Sequence, residues 1–243
     1  MRLKSSIIGL FIFGAFLSSC GEINTKKIIG NGEMKTTTIS TSDYDIINAS
    51  GNLYINLVRG KEGEIKISAE ENLIEYIQVI VENSQLTIKV KKGYNLSPSV
   101  RSKISITVPF EQINDIMLSG SGGINTTDTI QTNRFSVSIA GSYDANLNVF
   151  SEAVTSSVSG SGGLSLFGKT SHFEVSVSGS GEVAAYELTA NNANVSISGS
   201  GNIDLFVTDS LEASIAGSGN ILYKGNPKNI NKNIVGSGKV SSQ

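Results

Sequence analysis

The sequence predicts an all-β protein wound as a parallel β-helix, or β-solenoid. Three observations predict it: a Gly-Ser-Gly motif recurring about every nineteen residues, period-two alternation of apolar and polar residues beside each motif, and a composition rich in glycine and poor in charge. Of 243 residues, 26 are glycine, 3 are proline and 16% are charged. Many short β-branched segments punctuated by glycine belong to all-β folds.

The motif opens at Gly120, Gly141, Gly160, Gly179, Gly199, Gly217 and Gly236, at spacings of 21, 19, 19, 20, 18 and 19 residues. Serine always follows: Ser121, Ser142, Ser161, Ser180, Ser200, Ser218 and Ser237. A second glycine closes the motif at Gly122, Gly162, Gly181, Gly201, Gly219 and Gly238, with Tyr143 the exception. Two residues before each motif stand Leu118, Ile139, Val158, Val177, Ile197, Ile215 and Ile234. Four residues after its first glycine stand Ile124, Ala145, Leu164, Val183, Ile203, Ile221 and Val240. In Phe173–Ser178 the alternation points Phe173, Val175 and Val177 inward and Glu174, Ser176 and Ser178 outward.

One strand–corner–strand unit cannot bury its apolar side alone. Stacked in register, each strand pairs with its equivalents above and below, and Val and Ile columns become the interior. Glycine suits a corner that needs positive φ or close backbone contact between rungs. About seven rungs stacked about 4.8 Å apart make a stem of roughly 29 Å. The competing architecture is an antiparallel sandwich with Gly-rich hairpins, whose turns would vary in chemistry instead of repeating one corner.

Before the repeats, residues 1–19 have the layout of a secretory signal peptide, with Arg2 and Lys4 followed by the apolar run Ile7–Leu17. Those eleven residues span only about 16 Å as a helix, short of a bilayer core of about 30 Å. Leu17-Ser18-Ser19-Cys20 resembles a bacterial lipobox, so Cys20 is expected to carry a lipid and become the mature N-terminus. Residues 20–32, polar and glycine-rich, are expected to form a flexible tether. The remainder, 33–243, reads as a single domain: 33–115 irregular, 116–243 regular. In the irregular half, strands are expected at Lys35–Ser40, Tyr44–Ala49, Leu53–Val58, Glu64–Ala69, Gln78–Glu82, Leu86–Lys91 and Lys103–Val108, with a helical turn over Asn72–Ile77. Ile47–Leu53 echoes the motif, with Ala49 in place of its first glycine. This half is expected to continue the coil and cap it. The far end is capped by Lys224–Lys232 or left open to self-association.

The single Cys and single His exclude an internal disulfide and a zinc site built from them. A net charge of −2 points away from nucleic acid. A phosphate cradle would need a helix after its glycines, and here each motif runs into a strand. A calcium ladder would need repeated Asp, but the residue after each motif is Gly123, Asp144, Gly163, Glu182, Asn202, Asn220 or Lys239. Glycan-cleaving chemistry would draw on His172, Glu174, Glu182, Asp204 and Asp209 with Lys169 near, which read more simply as solvated residues. No catalytic residue, metal or cofactor is therefore assigned. Tyr94, Tyr143, Tyr186 and Tyr223 are candidates for stacking on sugar rings. Asp128-Thr129-Ile130 and Asp209-Ser210-Leu211 resemble an envelope O-glycosylation acceptor.

The chain resembles the head GIN domain family of auto-transporter adhesin heads. The resemblance rests on Gly51–Ile55, Gln85–Val90, Ile104–Pro109 and the segment Ile116–Asn125 with its Gly-Ile-Asn triplet. It covers nearly all of the mature chain and implies a right-handed β-helix at the cell envelope, with no family catalytic residues. The expected function is then a non-enzymatic, lipid-anchored outer-membrane protein acting as an adhesin-like module for a glycan or an envelope protein. The alternative is a periplasm-facing structural lipoprotein that self-associates through its open end.

Overall fold

A computed structural model describes residues 25–243; the expected signal peptide, Cys20 and the start of the expected tether lie outside the described residues. The N-terminal part comprises β1 (Lys26–Ile29), β2 (Met34–Ser40), β3 (Ile46–Arg59), β4 (Glu64–Glu70), the short helix α1 (Glu71–Ile74), β5 (Ile77–Glu82), β6 (Gln85–Val90), β7 (Tyr94–Ser97) and β8 (Ser105–Phe110). The regular part comprises β9 (Asp115–Thr126), β10 (Ile130–Gly160), β11 (Gly163–Gly179), β12 (Glu182–Gly199), β13 (Asn202–Gly217), β14 (Asn220–Lys224), β15 (Asn229–Gly236) and β16 (Lys239–Ser242).

From β9 onward each strand pairs in parallel with the next rung, so the fold is a β-solenoid of about six turns. The motif glycines pair with one another: Gly120 with Gly141, then Gly160 with Gly179, Gly199, Gly217 and Gly236 in turn. Val158, Val177, Ile197, Ile215 and Ile234 form one inward column, and Val154, Phe173, Ala193, Leu211 and Ile230 another. Burying each Val, Leu, Ile or Phe side chain contributes about 1.5–3 kcal/mol, which makes these columns the principal stabilising feature.

The two glycines of a motif serve different needs. Gly160 has φ 118°, and a Cβ there would stand 2.6 Å from the Gly141 carbonyl oxygen. That same oxygen accepts the Ser161 N–H at 2.9 Å, so the rung below occupies the space a side chain would need. Gly162 has no positive φ but would place a Cβ 2.5 Å from the Tyr143 carbonyl and 2.9 Å from Ile139 Cγ2. At Tyr143 the third motif position points inward instead and is filled by a fully buried ring.

The opposite corner is closed by hydroxyls. Ser151 Oγ shares its one proton between the carbonyls of Asn133 and Ala153 at 3.1 and 2.8 Å; Thr170 Oγ1 shares its own between those of Glu152 and His172 at 3.2 and 3.0 Å. Thr208 Oγ1 reaches the Ala190 carbonyl at 3.5 Å. Ala190 takes the Thr170 position in the intervening rung, whose extra length is absorbed by register shifts between Ala185 and Asn192.

The N-terminal half both continues and ends the coil. β3 is the first full pass, in parallel register with β9. The two strands expected at Tyr44–Ala49 and Leu53–Val58 are this one strand. Its motif glycine is Gly51, which pairs with Gly120 and has φ 113°; the alignment on Ala49 was two residues out, because Asn52 and Leu53 replace the Ser and Gly that mark the other corners. β6 and β8 cover the two halves of β3 in parallel. Then β5 pairs antiparallel to β6, β4 to β8 and β2 to β4, which stops the winding. Asn83 and Ser84, both at positive φ, make the two-residue turn of the β5–β6 hairpin.

The expected tether is shorter than 20–32. β1 pairs in parallel with β7, and Gly30 N–H bonds the Ser97 carbonyl at 3.0 Å. The Glu70 carboxylate, 1% exposed, accepts N–H groups from Gly32 at 2.5 Å and Ser99 at 2.8 Å. Burial pulls its pKa up, but those donors outweigh burial and hold it below the ordinary glutamate value. At the other end β15 and β16 have no further strand beyond them among the described residues. There Lys232 occupies the inward position above Ala213. Its Nζ crosses the mouth of the coil to the Val240 carbonyl at 3.0 Å and lies 5.3 Å from the Tyr223 ring centroid.

Candidate binding groove

Side chains able to meet a ligand are set by the strand alternation. On one long side the outward columns are small and polar. Ser157, Ser176, Ser196 and Ser214 stack beside Ser159, Ser178 and Ser198 as a flat hydroxyl surface. Glycines remove side chains from one corner, so, while two clefts of about 380 and 270 Å³ lie against the N-terminal half, those along the regular coil lie at and beside the hydroxyl corner.

Three clefts follow one another there along the coil axis. One, of about 610 Å³, is lined by Gln112, Asn114, Gln131, Asn133 and Arg134. The next, about 530 Å³, shares Gln131, Thr132 and Asn133 with it and adds Phe150, Glu152 and Lys169. A third, about 300 Å³, begins one residue beyond, with His172, Glu174, Asn192, Asn194 and Glu212. The first two join through their shared residues into a groove, and the third opens beside it over the following rungs.

The first cleft has an ordered floor. Asn114 Oδ1 accepts from Thr132 Oγ1 at 2.6 Å and Gln112 Nε2 at 3.2 Å, while its Nδ2 donates to Asp45 Oδ2 at 3.3 Å. Gln131, Asn133 and Arg134 stand exposed on the rim. In the second cleft Val149 and Ser151 point inward, so Phe150 between them must point out and is 58% exposed. It is the one aromatic side chain in the exposed class among the described residues. Lys169 is its neighbour on the next rung. Neither Lys169 nor Glu152 belongs to the ion pairs found among the described residues, Lys35–Glu71 and Lys228–Asp209.

The candidate residues of the sequence are scattered over this frame. His172 and Glu174 do share the third cleft, where Glu212 joins them, and Lys169 lies in the second. Glu182 and Asp204 stand on the other side of the coil, and Asp209 pairs with Lys228 at 3.3 Å. Burial and then the Glu182 charge push the Asp204 carboxyl up. Among the described residues no group of three His, Cys, Asp or Glu is placed to hold a metal. The residues after each motif form an outward column in which Asn220 Nδ2 bonds Asn202 Oδ1 at 3.2 Å. Asp128 Oδ2 accepts the Arg59 N–H at 2.9 Å.

The tyrosines expected to face sugars do not form such a face. Tyr143 is fully buried, which pushes its hydroxyl up to about 12, and Tyr223 is buried too. Tyr94 packs against Tyr76 with centroids 4.6 Å apart, and Tyr186 lies under Lys224 Nζ at 4.2 Å. These residues face inward or into local packing. Phe150 is the exposed ring, and its position after inward Val149 was a readable signal.

The coil has solved counterparts. A protein from Parabacteroides distasonis described as a "putative lipid binding protein" is 28% identical, with TM-score 0.74, over 90% of this chain and 100% of that one. A "putative adhesin" from Bacteroides fragilis superposes with TM-score 0.82 at 22% identity, over 89% of this chain and 100% of that one. Another "putative adhesin" from Parabacteroides distasonis gives TM-score 0.71 at 21% identity, over 90% and 100% of the two chains. No curated protein matches the chain. The family model described as "Putative auto-transporter adhesin, head GIN domain" matches residues 43–227, from just before β3 to just beyond β14, and the chain belongs to that family.

Proposed function

We propose that this protein is a lipid-anchored, cell-envelope binding module, adhesin-like in action and without catalysis of its own. The observation that carries the reading is the groove at the hydroxyl corner: a solvent-open run of amide, charged and aromatic side chains presented on successive rungs of the coil. Membership of an adhesin-head family supports it. The partner is a glycan or a protein presented outside the membrane. The lipid is carried by Cys20, and durable attachment follows from more than one acyl chain.

Protease accessibility on intact cells, beside lysed cells and a Cys20→Ala variant, tests the reading. Digestion on intact cells, with release of the Cys20→Ala protein from the membrane fraction, is expected. Protection until lysis removes the adhesin role. A second reading, a periplasm-facing protein that associates with its own kind, is favoured by the exposed Ile230, Ile234 and Val235 on β15. Sedimentation of the wild-type protein as a monomer at all concentrations removes that one.

A further inference from the structure

We infer that the ligand of the groove is an oligosaccharide strand and that Phe150 is the platform on which one of its rings stacks. This rests on the binding-module reading and gives it a site and a ligand class.

A ligand that covers an exposed phenyl ring gains free energy in proportion to the apolar area it removes from water. Phe150 is 58% exposed, and its surroundings are amide and charged groups: Gln131, Asn133, Glu152 and Lys169. An apolar protein helix or acyl chain would leave those groups unpaired on burial, at a cost for each. A sugar ring matches both halves of the site. Its C–H face covers the phenyl ring, and its rim of hydroxyls exchanges hydrogen bonds with amides that both donate and accept. The groove also has the right geometry for a chain of such rings. Gln131 and Asn133 belong to one rung, Phe150 and Glu152 to the next and Lys169 to the one after, so equivalent positions recur about every 4.8 Å along the axis. A sugar chain lying parallel to the axis meets a new set of groups at each rung. The Asn114 amide, fixed by Thr132, Gln112 and Asp45, supplies a preorganised end to the run.

The test uses the detergent-solubilised lipoprotein against immobilised chitin, mannan and hyaluronan oligosaccharides, with fibronectin and collagen as protein probes. At least one oligosaccharide is expected to bind. Phe150→Ala should weaken that binding about tenfold or more, Phe150→Trp should retain it, and Ser176→Ala on the flat side should leave it unchanged. Oligosaccharide binding that survives Phe150→Ala overturns the site. Binding to the protein probes but to no oligosaccharide overturns the ligand class and leaves the binding-module reading standing. Binding to neither class overturns this inference, and protection of the protein on intact cells then takes the module reading with it.

Discussion

The two corners of the coil turn the chain by opposite means. At the glycine corner the turn depends on what is missing: no Cβ fits at Gly160 or Gly162, because carbonyls of the rung below stand there. At the hydroxyl corner it depends on what is added, the Oγ groups of Ser151 and Thr170 bonding carbonyls of their own and the preceding rung. The first corner fixes the shape and presents little for recognition. The second keeps its side chains, and the clefts lie along it. Repetition and side-chain relief thereby fall to different edges of one cross-section.

The sharpest way to break the contrast is Gly160→Ala. The added methyl faces a backbone oxygen at 2.6 Å in a positive-φ conformation, so a loss of about 2–4 kcal/mol is expected in urea unfolding. A loss below about 0.5 kcal/mol means that the corner relaxes and that the contact does not dictate glycine. At the other corner Thr170→Val keeps the shape and removes the one hydroxyl proton shared between two carbonyls, for an expected loss of about 1–2 kcal/mol. If the two substitutions cost the same, the corners are not the opposites described here. Phe150→Ala, on the same edge but facing water, should shift stability by less than about 0.5 kcal/mol. A larger shift in the same unfolding assay marks Phe150 as a packing residue.

The ends of the coil offer gentler perturbations. Glu70 has a folded pKa below its unfolded value of about 4.5, so its contribution is complete above that value and disappears as pH falls through the lower, folded one. Protection of the Gly32 and Ser99 amides, relative to their intrinsic exchange rates, should fall over that acidic window, and Glu70→Gln should abolish that fall. Unaltered exchange in the variant would show that the carboxylate does not hold these amides. At the far end Lys232 places a charge where an apolar residue would make the edge adhesive. Lys232→Leu should make the protein more prone to concentration-dependent association than wild type in sedimentation runs. Identical profiles leave the blunting to other features of the edge.

The repeated half was legible because each rung restates the same three signals: an inward Val or Ile, a Gly-Ser-Gly corner and a polar alternate. Where a rung loses part of the signature, phase becomes ambiguous, as at Ala49 and Gly51, and only pairing with Gly120 resolves it. β1 escaped for a different reason. Lys26-Lys27 beside Gly30 and Gly32 reads as solvent-loving, and its partner Tyr94–Ser97 is too distant in sequence for any local pattern to announce it. The hydroxyl corner was available in principle, since Ser151 and Thr170 lie 19 residues apart in register, but the glycine repeat dominates any search for periodicity. The groove itself could not be read. It depends on which outward residues of neighbouring rungs sit side by side, and on four tyrosines failing to be where composition invited them.

The pairing of β1 with β7 has a mechanical consequence. A pull on the N-terminus enters the folded body at Lys26, on a four-residue parallel ladder backed by the Glu70 contacts to Gly32 and Ser99. That ladder belongs to a separate two-stranded sheet, so it can shear away without peeling a rung from the coil. Residues 26–32 then add about 23 Å of slack at most, near 3.3 Å for each residue released. Under tension at the N-terminus this short ladder gives first, and the rungs of the coil keep their register.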